Sequence, residues 1–236
     1  MEISREAFIK TIAMMGAGFL LGNPDISVGK EILVPDHFLW GCSNLKEGIR
    51  IFKEKTGVEA VIGGKHPGVG THNALVSLGD KVYLEIIAPD PEANSLVDDY
   101  AFLKELKSPS LFYWAAHTEN IDNLLQLITK SGKPNSGINE GSRKKPDGTL
   151  LKWKALSLES KQEGLLPFFI QWDKQSKHPA QESPKGCTID SYWLESPAAV
   201  ALGKDFTQLG IKMPLQYGKK DVLHLRLNTP KGIVTL

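Results

Sequence analysis

Cysteine is nearly absent: the 236 residues contain two, Cys42 and Cys187, with no CxxC or other zinc-ligand spacing. They read as two separate thiols at strand positions rather than as a disulfide or a catalytic pair. Excess charge of one sign is missing as well, because 28 basic residues stand against 27 acidic ones and leave +1. So small a net charge gives no global electrostatic case for nucleic acid or for an acidic membrane surface. The phosphate loop and the dinucleotide fingerprint are also lacking. "GGKHPGVGTHN" (63–73) reads as a glycine-rich turn, but its spacing matches neither motif, and a strand pattern follows where both need a helix. The basic run "SRKKPDG" (142–148) carries Pro and Gly and reads as a solvated turn rather than a binding patch.

What is present suits a globular chain able to bury a sizeable core, with 41% hydrophobic and 23% charged residues. The first 30 residues differ from the rest. Arg5 and Lys10 precede a short apolar stretch from Ile12 to Leu21, and a polar exit with Pro24 follows. The stretch is too short to span a bilayer but has the length of a signal h-region. "SREAFIK" resembles the twin-arginine export signal, although Glu6 stands where the second arginine belongs and no good Ala-x-Ala site follows. The expectation is an exported, extracytoplasmic protein; the alternative is a cytoplasmic one whose N-terminal helix packs on the domain.

The body repeats itself. "FLWGCSNLKEGIRIFKEKTGV" (38–58), "LFYWAAHTENIDNLLQLITKSGK" (111–133) and "TIDSYWLESPAAVALGKDFTQLGI" (188–211) each run from strand alternation into a helical pattern. The helices stop at Gly57, Gly132 and Gly210, as left-handed C-terminal caps require. Strand patterns follow each: "THNALVSLG" and "KVYLEIIAP" around Gly79-Asp80, then "GTLLKWKALSL" and "LLPFFIQWD", and lastly "DVLHLRLNTPKGIVTL". The unit is therefore β-α-β-β-β or close to it, a curved sheet with helix on one face and a second face left for a partner unit or a ligand.

Chemistry-bearing residues gather in the first unit. His37 opens the first strand, and Glu85 interrupts the apolar run "VYLEIIAP". A carboxylate there is costly to bury unless paired, protonated or metal-bound. His37 and Glu85 on neighbouring strands make two candidate ligands for a divalent cation; a structural His–Glu pair is the alternative. His66, Thr71 and Asn73 come from the glycine-rich stretch. Alternation puts Tyr83 on the face of Glu85, and Phe169 on the face of Gln171.

"PDHFLWGCSNLKEGIRIFKEKTGV" followed by "GGKHPGVGTHNALVSLGDKVYLEIIAPDP" resembles the glyoxalase-like proteins of the vicinal oxygen chelate superfamily. These read Asp-His-x6-Asp-Leu, then Gly-Gly-x-His-x-Gly-x-Gly-Thr-x-Asn-x-Leu, then Tyr-Leu-Glu; "LPFFIQWDKQSKHP" (166–179) extends the likeness. The resemblance implies an α+β fold of paired βαβββ modules forming a half-open barrel around a metal. The modules fall at 31–108 and 109–180, after a signal-like segment 1–30, with an incomplete third βα unit over 181–236. It implies His37 and Glu85 as metal ligands, for Zn, Fe, Mn or Ni, with a metal-free site as the other possibility. Relatives carry Phe-Ile-Glu-Trp where this chain has Gln171, and Phe112 and Tyr113 at the second module's first strand are poor ligands.

A glutamine cannot move the proton that glyoxalase isomerisation requires, which argues against that activity. Two His and one carboxylate, as an oxygenase wants, are complete only if His66 or His178 folds inward. The expectation is a metal-dependent lyase, isomerase or oxygenase acting on a small oxygenated molecule, with His66, Thr71, Asn73, Tyr83, Phe169 and Gln171 around it. The alternative is a metal-free binding or sequestration protein. Neither reading calls for nucleic acid or a membrane span, and the state is monomer or homodimer.

Overall fold

The computed structural model describes residues 31–159 and 165–236, so the signal-like segment lies outside the described residues. The first module is β1 (Pro35–Gly41), α1 (Leu45–Thr56), β2 (Val61–His66), β3 (Thr71–Gly79) and β4 (Val82–Pro89). The second is β5 (Ser110–His117), α2 (Ile121–Lys130), β6 (Asn135–Lys144), β7 (Leu150–Leu158) and β8 (Phe168–Trp172). Asn44 and Asn120 start α1 and α2, each accepting a backbone N–H three residues on. Gly57 and Gly210 end their helices in the left-handed region, and Gly132 takes the same conformation just past α2, so the three glycine stops are real.

The strands of the two modules build one eight-stranded sheet, in the order β2-β3-β4-β1-β5-β8-β7-β6. β1 runs parallel to β4, β5 runs parallel to β8, and the antiparallel β1–β5 pair joins the halves. One face is apolar throughout: Phe38, Trp40, Leu84, Ile86, Trp114 and Phe169 are at most 2% exposed and belong to one core cluster. Burying each such side chain contributes roughly 1.5–3 kcal/mol. By alternation the other, concave face receives His37, Tyr83, Glu85, Ala115, Phe168 and Ile170.

After α3 (Pro179–Glu182) come β9 (Thr188–Ser196), α4 (Ala199–Leu209), β10 (Leu215–Tyr217), β11 (Val222–Thr229) and β12 (Gly232–Thr235). They repeat the strand–helix opening of a module, but their sheet is ordered β10-β9-β11-β12, with β9 between its parallel and antiparallel neighbours. This sheet and α4 together cover the convex core, where Tyr192 of β9 lies 5.7 Å from Phe38 and Phe206 of α4 lies 6.4 Å from Trp114, ring to ring. The third unit therefore completes the convex core, while α3 packs Ala180 against Tyr83 and Leu75 on the concave side.

Two stretches differ from their sequence reading. "GGKHPGVGTHN" is mostly strand: β2 extends through His66, β3 begins at Thr71, and only residues 67–70 turn. Gly64 explains why. A Cβ there would lie 2.6 Å from the Lys144 carbonyl oxygen, so its glycine lets the sheet edges β2 and β6 close together without pairing. "SRKKPDG" is likewise not all solvated turn: Arg143 lies in β6 and is 3% exposed. Cys42 and Cys187 are free and buried, and burial pushes the Cys42 thiol up to about 11.

Candidate functional site

His37 sits beside a register shift between β1 and β5, at Pro35/His37, which turns Asp36 toward the same end of the concave face. His37 Nδ1 faces Asp36 Oδ1 at 2.6 Å, and its Nε2 lies 3.5 Å from Glu85 Oε2. Its ring stacks on Tyr83 at 4.5 Å and meets the edge of Phe168 at 5.3 Å. The imidazole is thus fixed in plane and in rotation.

Asp36, fully buried, is the fixed point of a wider cluster. Trp172 Nε1 donates to its Oδ2 at 3.0 Å, His178 Nε2 lies 3.1 Å away, and His117 Nδ1 lies 3.4 Å away. His178 Nδ1 accepts from the Ala180 N–H, so its Nε2 carries the proton given to Asp36. Burial alone would push the Asp36 carboxyl up; hydrogen bonds from His117, His178 and His37 outweigh it and hold it well below the usual carboxylate range. Asp36 is a site residue that sequence reasoning passed over, although it stands beside His37 in "DHFLWG". Its inward turn depends on that register shift, which no pattern in the sequence announces.

On the far side of Glu85, His66 folds inward. Its Nδ1 meets Thr71 Oγ1 at 2.9 Å and its Nε2 lies 3.7 Å from Glu85 Oε1. Asn73 Nδ2 donates to Glu85 Oε1 at 2.6 Å and stands 3.3 Å from His66 Nε2, between the two. Burial pushes the His66 imidazole below its ordinary value, with Glu85 pulling the other way. Tyr83 is raised well above the usual phenol value by burial, with Glu85 and Asp36 adding to it.

His37, Glu85, His66, Thr71, Asn73 and Tyr83 therefore meet in one place. Phe169 and Gln171 do not. Phe169 is buried in the convex core, and Gln171 Oε1 accepts the N–H of Ile121 at 2.9 Å, satisfying the first turn of α2. The inward residues of β8 are Phe168, Ile170 and Trp172, one position off the sequence reading. Tyr113 packs on Phe168 and Phe112 on Tyr100 and Phe102.

Arg143 also reaches this region and was missed because it lies in a charged run. Its Nη1 and the Asn73 Oδ1 are buried without a hydrogen-bond partner. Both point at Gly63, whose hypothetical Cβ would stand 2.3 Å from Asn73 Oδ1 and 2.7 Å from Arg143 Nη1.

His37 and Glu85 suit one divalent ion: donors about 2.1 Å from a tetrahedral centre are separated by roughly 3.4 Å, close to the 3.5 Å found. A ligating histidine also has its other nitrogen held by an acceptor, as Asp36 holds His37. Among the described residues, no set of three or more His, Cys, Asp or Glu side chains is arranged to hold an ion. The fit is to an open two-residue hold, not to a closed centre.

A family model described as "Glyoxalase-like domain" matches residues 36–210. Of solved structures, a hypothetical protein from Staphylococcus aureus is similar at 15% identity and TM-score 0.66, covering 86% of this chain and 98% of its own. A variant of the methylmalonyl-CoA epimerase of Streptomyces coelicolor, in complex with 2-nitronate-propionyl-CoA, is similar at 18% identity and TM-score 0.44. It covers 59% of this chain and 97% of that one. Methylmalonyl-CoA epimerase from Mycobacterium tuberculosis follows at 13% identity and TM-score 0.43, covering 62% and 92%. No curated protein sequence matches the chain.

Proposed function

The chain belongs to the glyoxalase-like domain family, and from that premise we propose a divalent-metal-dependent enzyme acting on a small oxygenated organic molecule. The observation that carries the reading is the His37–Glu85 pair at 3.5 Å with its imidazole backed by Asp36. His37 Nε2 and Glu85 would hold the ion beside the oxygens of the bound molecule. A divalent ion there supplies Lewis-acid polarisation of those oxygens.

The chain's own groups do the rest. Asp36, gripped from three sides by His117, His178 and Trp172, keeps His37 from rotating. Asn73 fixes the Glu85 carboxylate and orients the molecule. His66, which burial drives toward the neutral form, offers a proton-accepting nitrogen beside Glu85. Tyr83, Phe168 and Trp172 exclude water from the pair. With Ile170 at the register position of Glu85, β8 sets no carboxylate opposite Glu85, so the reaction is of a kind that needs none from that strand.

A metal-free binding protein is the second reading. It is favoured by the Asn73–Glu85 hydrogen bond at 2.6 Å, which already satisfies one carboxylate oxygen without an ion. Elemental analysis after loading with zinc, iron, manganese or nickel decides between them. The enzyme reading expects one ion per chain, lost in both His37→Ala and Glu85→Gln. No ion in the wild type under any of the four metals leaves the binding reading. An extracytoplasmic location is part of the proposal and is checked by fractionation of the source cells.

A further inference from the structure

We propose that Arg143 and the side-chain oxygen of Asn73 form a subsite for the anion of a small 2-hydroxycarboxylic acid. The proposal deepens the small-molecule reading of the concave face, on which it rests, and is independent of whether an ion is bound.

A residue 3% exposed whose side chain carries a guanidinium has lost most of its hydration, and such a group is normally paired. The Arg143 guanidinium makes no ion pair and no hydrogen bond with any described residue, and its Nη1 is buried without a partner. The nearby cation Lys145 is different, since Glu182 lies 2.9 Å and Asp147 3.2 Å from it. The uncompensated charge at this edge of the barrel is therefore that of Arg143. The second orphan is an acceptor. Asn73 has given its N–H to Glu85, and its Oδ1 accepts nothing.

One donor carrying a full charge and one acceptor thus converge on Gly63, the place where a side chain has been left out. Any Cβ at that position would collide with both. A ligand that satisfies both groups needs an anionic oxygen for Arg143 and, a few ångströms away, an O–H to give to Asn73. A carboxylate with a hydroxyl on the adjacent carbon has that arrangement, and planar carboxylates match guanidinium geometry. A cleft of about 50 Å³ reaches Arg143 and Gly63 from solvent between Val61, Leu75 and Pro179, with the ion-paired Lys145 and Glu182 also in its wall. Its size suits a small head group, and its wall combines apolar side chains with the Lys145–Glu182 pair, whose charges offset each other. The neighbouring Glu85 and His66 would then face the hydroxyl-bearing carbon's side of the ligand.

The test uses the full chain, dialysed against chelator, titrated with glycolate, acetate and glycolamide and followed by NMR. Glycolate has both features, acetate lacks the hydroxyl and glycolamide lacks the charge. Glycolate should bind best, acetate about tenfold more weakly, and glycolamide about a hundredfold more weakly. Arg143→Gln should bring glycolate down to the level of glycolamide while melting no lower than the wild type, because an unpaired buried cation has been removed. Equal binding of the three probes, or none, would mean that the two orphans satisfy each other or share a buried water, and overturns the proposal. So does an Arg143→Gln protein that melts far below the wild type, which would make the guanidinium a structural strut. Metal analysis separates this from the wider reading: discrimination among the probes with no bound ion keeps the subsite and loses the metal enzyme, and the converse result does the opposite.

Discussion

In the first module the inward positions of the parallel strand pair carry His37, Tyr83 and Glu85; at the same register the second module carries Ala115, Phe168 and Ile170. Both modules share helix caps, strand order and a convex face of large apolar residues, so the scaffold does not account for the difference. A curved sheet of this kind needs its convex side filled in both halves, and Trp40 and Trp114 do that alike. The concave side is under no such demand. One half can then hold the polar network while the other gives it a dry wall, which lowers the dielectric around Glu85 and strengthens every charge interaction there.

The sharpest way to break this contrast is to make the second half resemble the first. Ile170→Glu puts a carboxylate where Glu85 has its counterpart, but with no Asn73 or His37 to receive it. Its cross-strand neighbour His117 is already engaged by Asp36 and Glu119. The expected cost is about 3 kcal/mol or more, read from chemical denaturation. A variant as stable as the wild type would mean that the second half is wet and the contrast superficial.

His37→Ala removes the first half's central group. Asp36 and Glu85 both lose a partner while buried, so a loss of about 2–4 kcal/mol is expected, together with complete loss of bound metal. If His37 did no more than hold an ion, the fold would survive this change nearly intact. The 2.6 Å bond to Asp36 alters that expectation, because the histidine anchors a carboxylate behind it as well as facing the one in front. Glu85→Gln is the milder control: the side chain keeps its shape and its oxygen for Asn73, so metal should go with less loss of stability.

How much of this the sequence disclosed depends on which signal each residue carried. The glycine stops and the strands of "THNALVSLG" and "VYLEIIAP" announce themselves through local conformation and alternation, and they fold as read. β2 was hidden because Gly63-Gly64 and Lys65 suppress any strand pattern. Arg143 was hidden because a buried cation and a solvated one look the same in a basic run. In β8 the three consecutive apolar residues Phe168, Phe169 and Ile170 erase the alternation, so the inward face is set by pairing with β5 and not by composition. His66, His37 and Glu85 were legible as candidates through motif spacing; that they converge needed three dimensions.

Asp36 is where the halves meet, since His37 is on its own strand while His117 and Trp172 come from the second module. The His117 imidazole is raised above its ordinary value chiefly by Asp36, against burial, with Glu119 adding to it. A group raised in the folded state contributes stability that is fully present below its unfolded value and is lost as pH rises through the folded one. His117→Gln should therefore cost about 1 kcal/mol at about pH 5.5, and the gap to wild type should close as pH rises above the ordinary imidazole value and through the raised one. A gap that widens with pH would place the stabilising charge elsewhere.

The smallest expected effect tests the most tempting misreading. Relatives with Phe-Ile-Glu-Trp suggest that Gln171→Glu would restore a missing ligand. The side chain at 171, however, points to the convex side and accepts the Ile121 N–H at the start of α2. A carboxylate there keeps that hydrogen bond and adds a favourable charge at the positive end of a helix, worth about 0.3–1 kcal/mol at low ionic strength. Metal content and ion affinity should not change. Thermal unfolding at low and high salt checks the first point, because a helix-dipole gain shrinks as salt screens it. If Gln171→Glu raises metal affinity and leaves the melting temperature alone, β8 presents its other face to the ion, and the contrast between a polar first half and a dry second one is wrong at its most specific position.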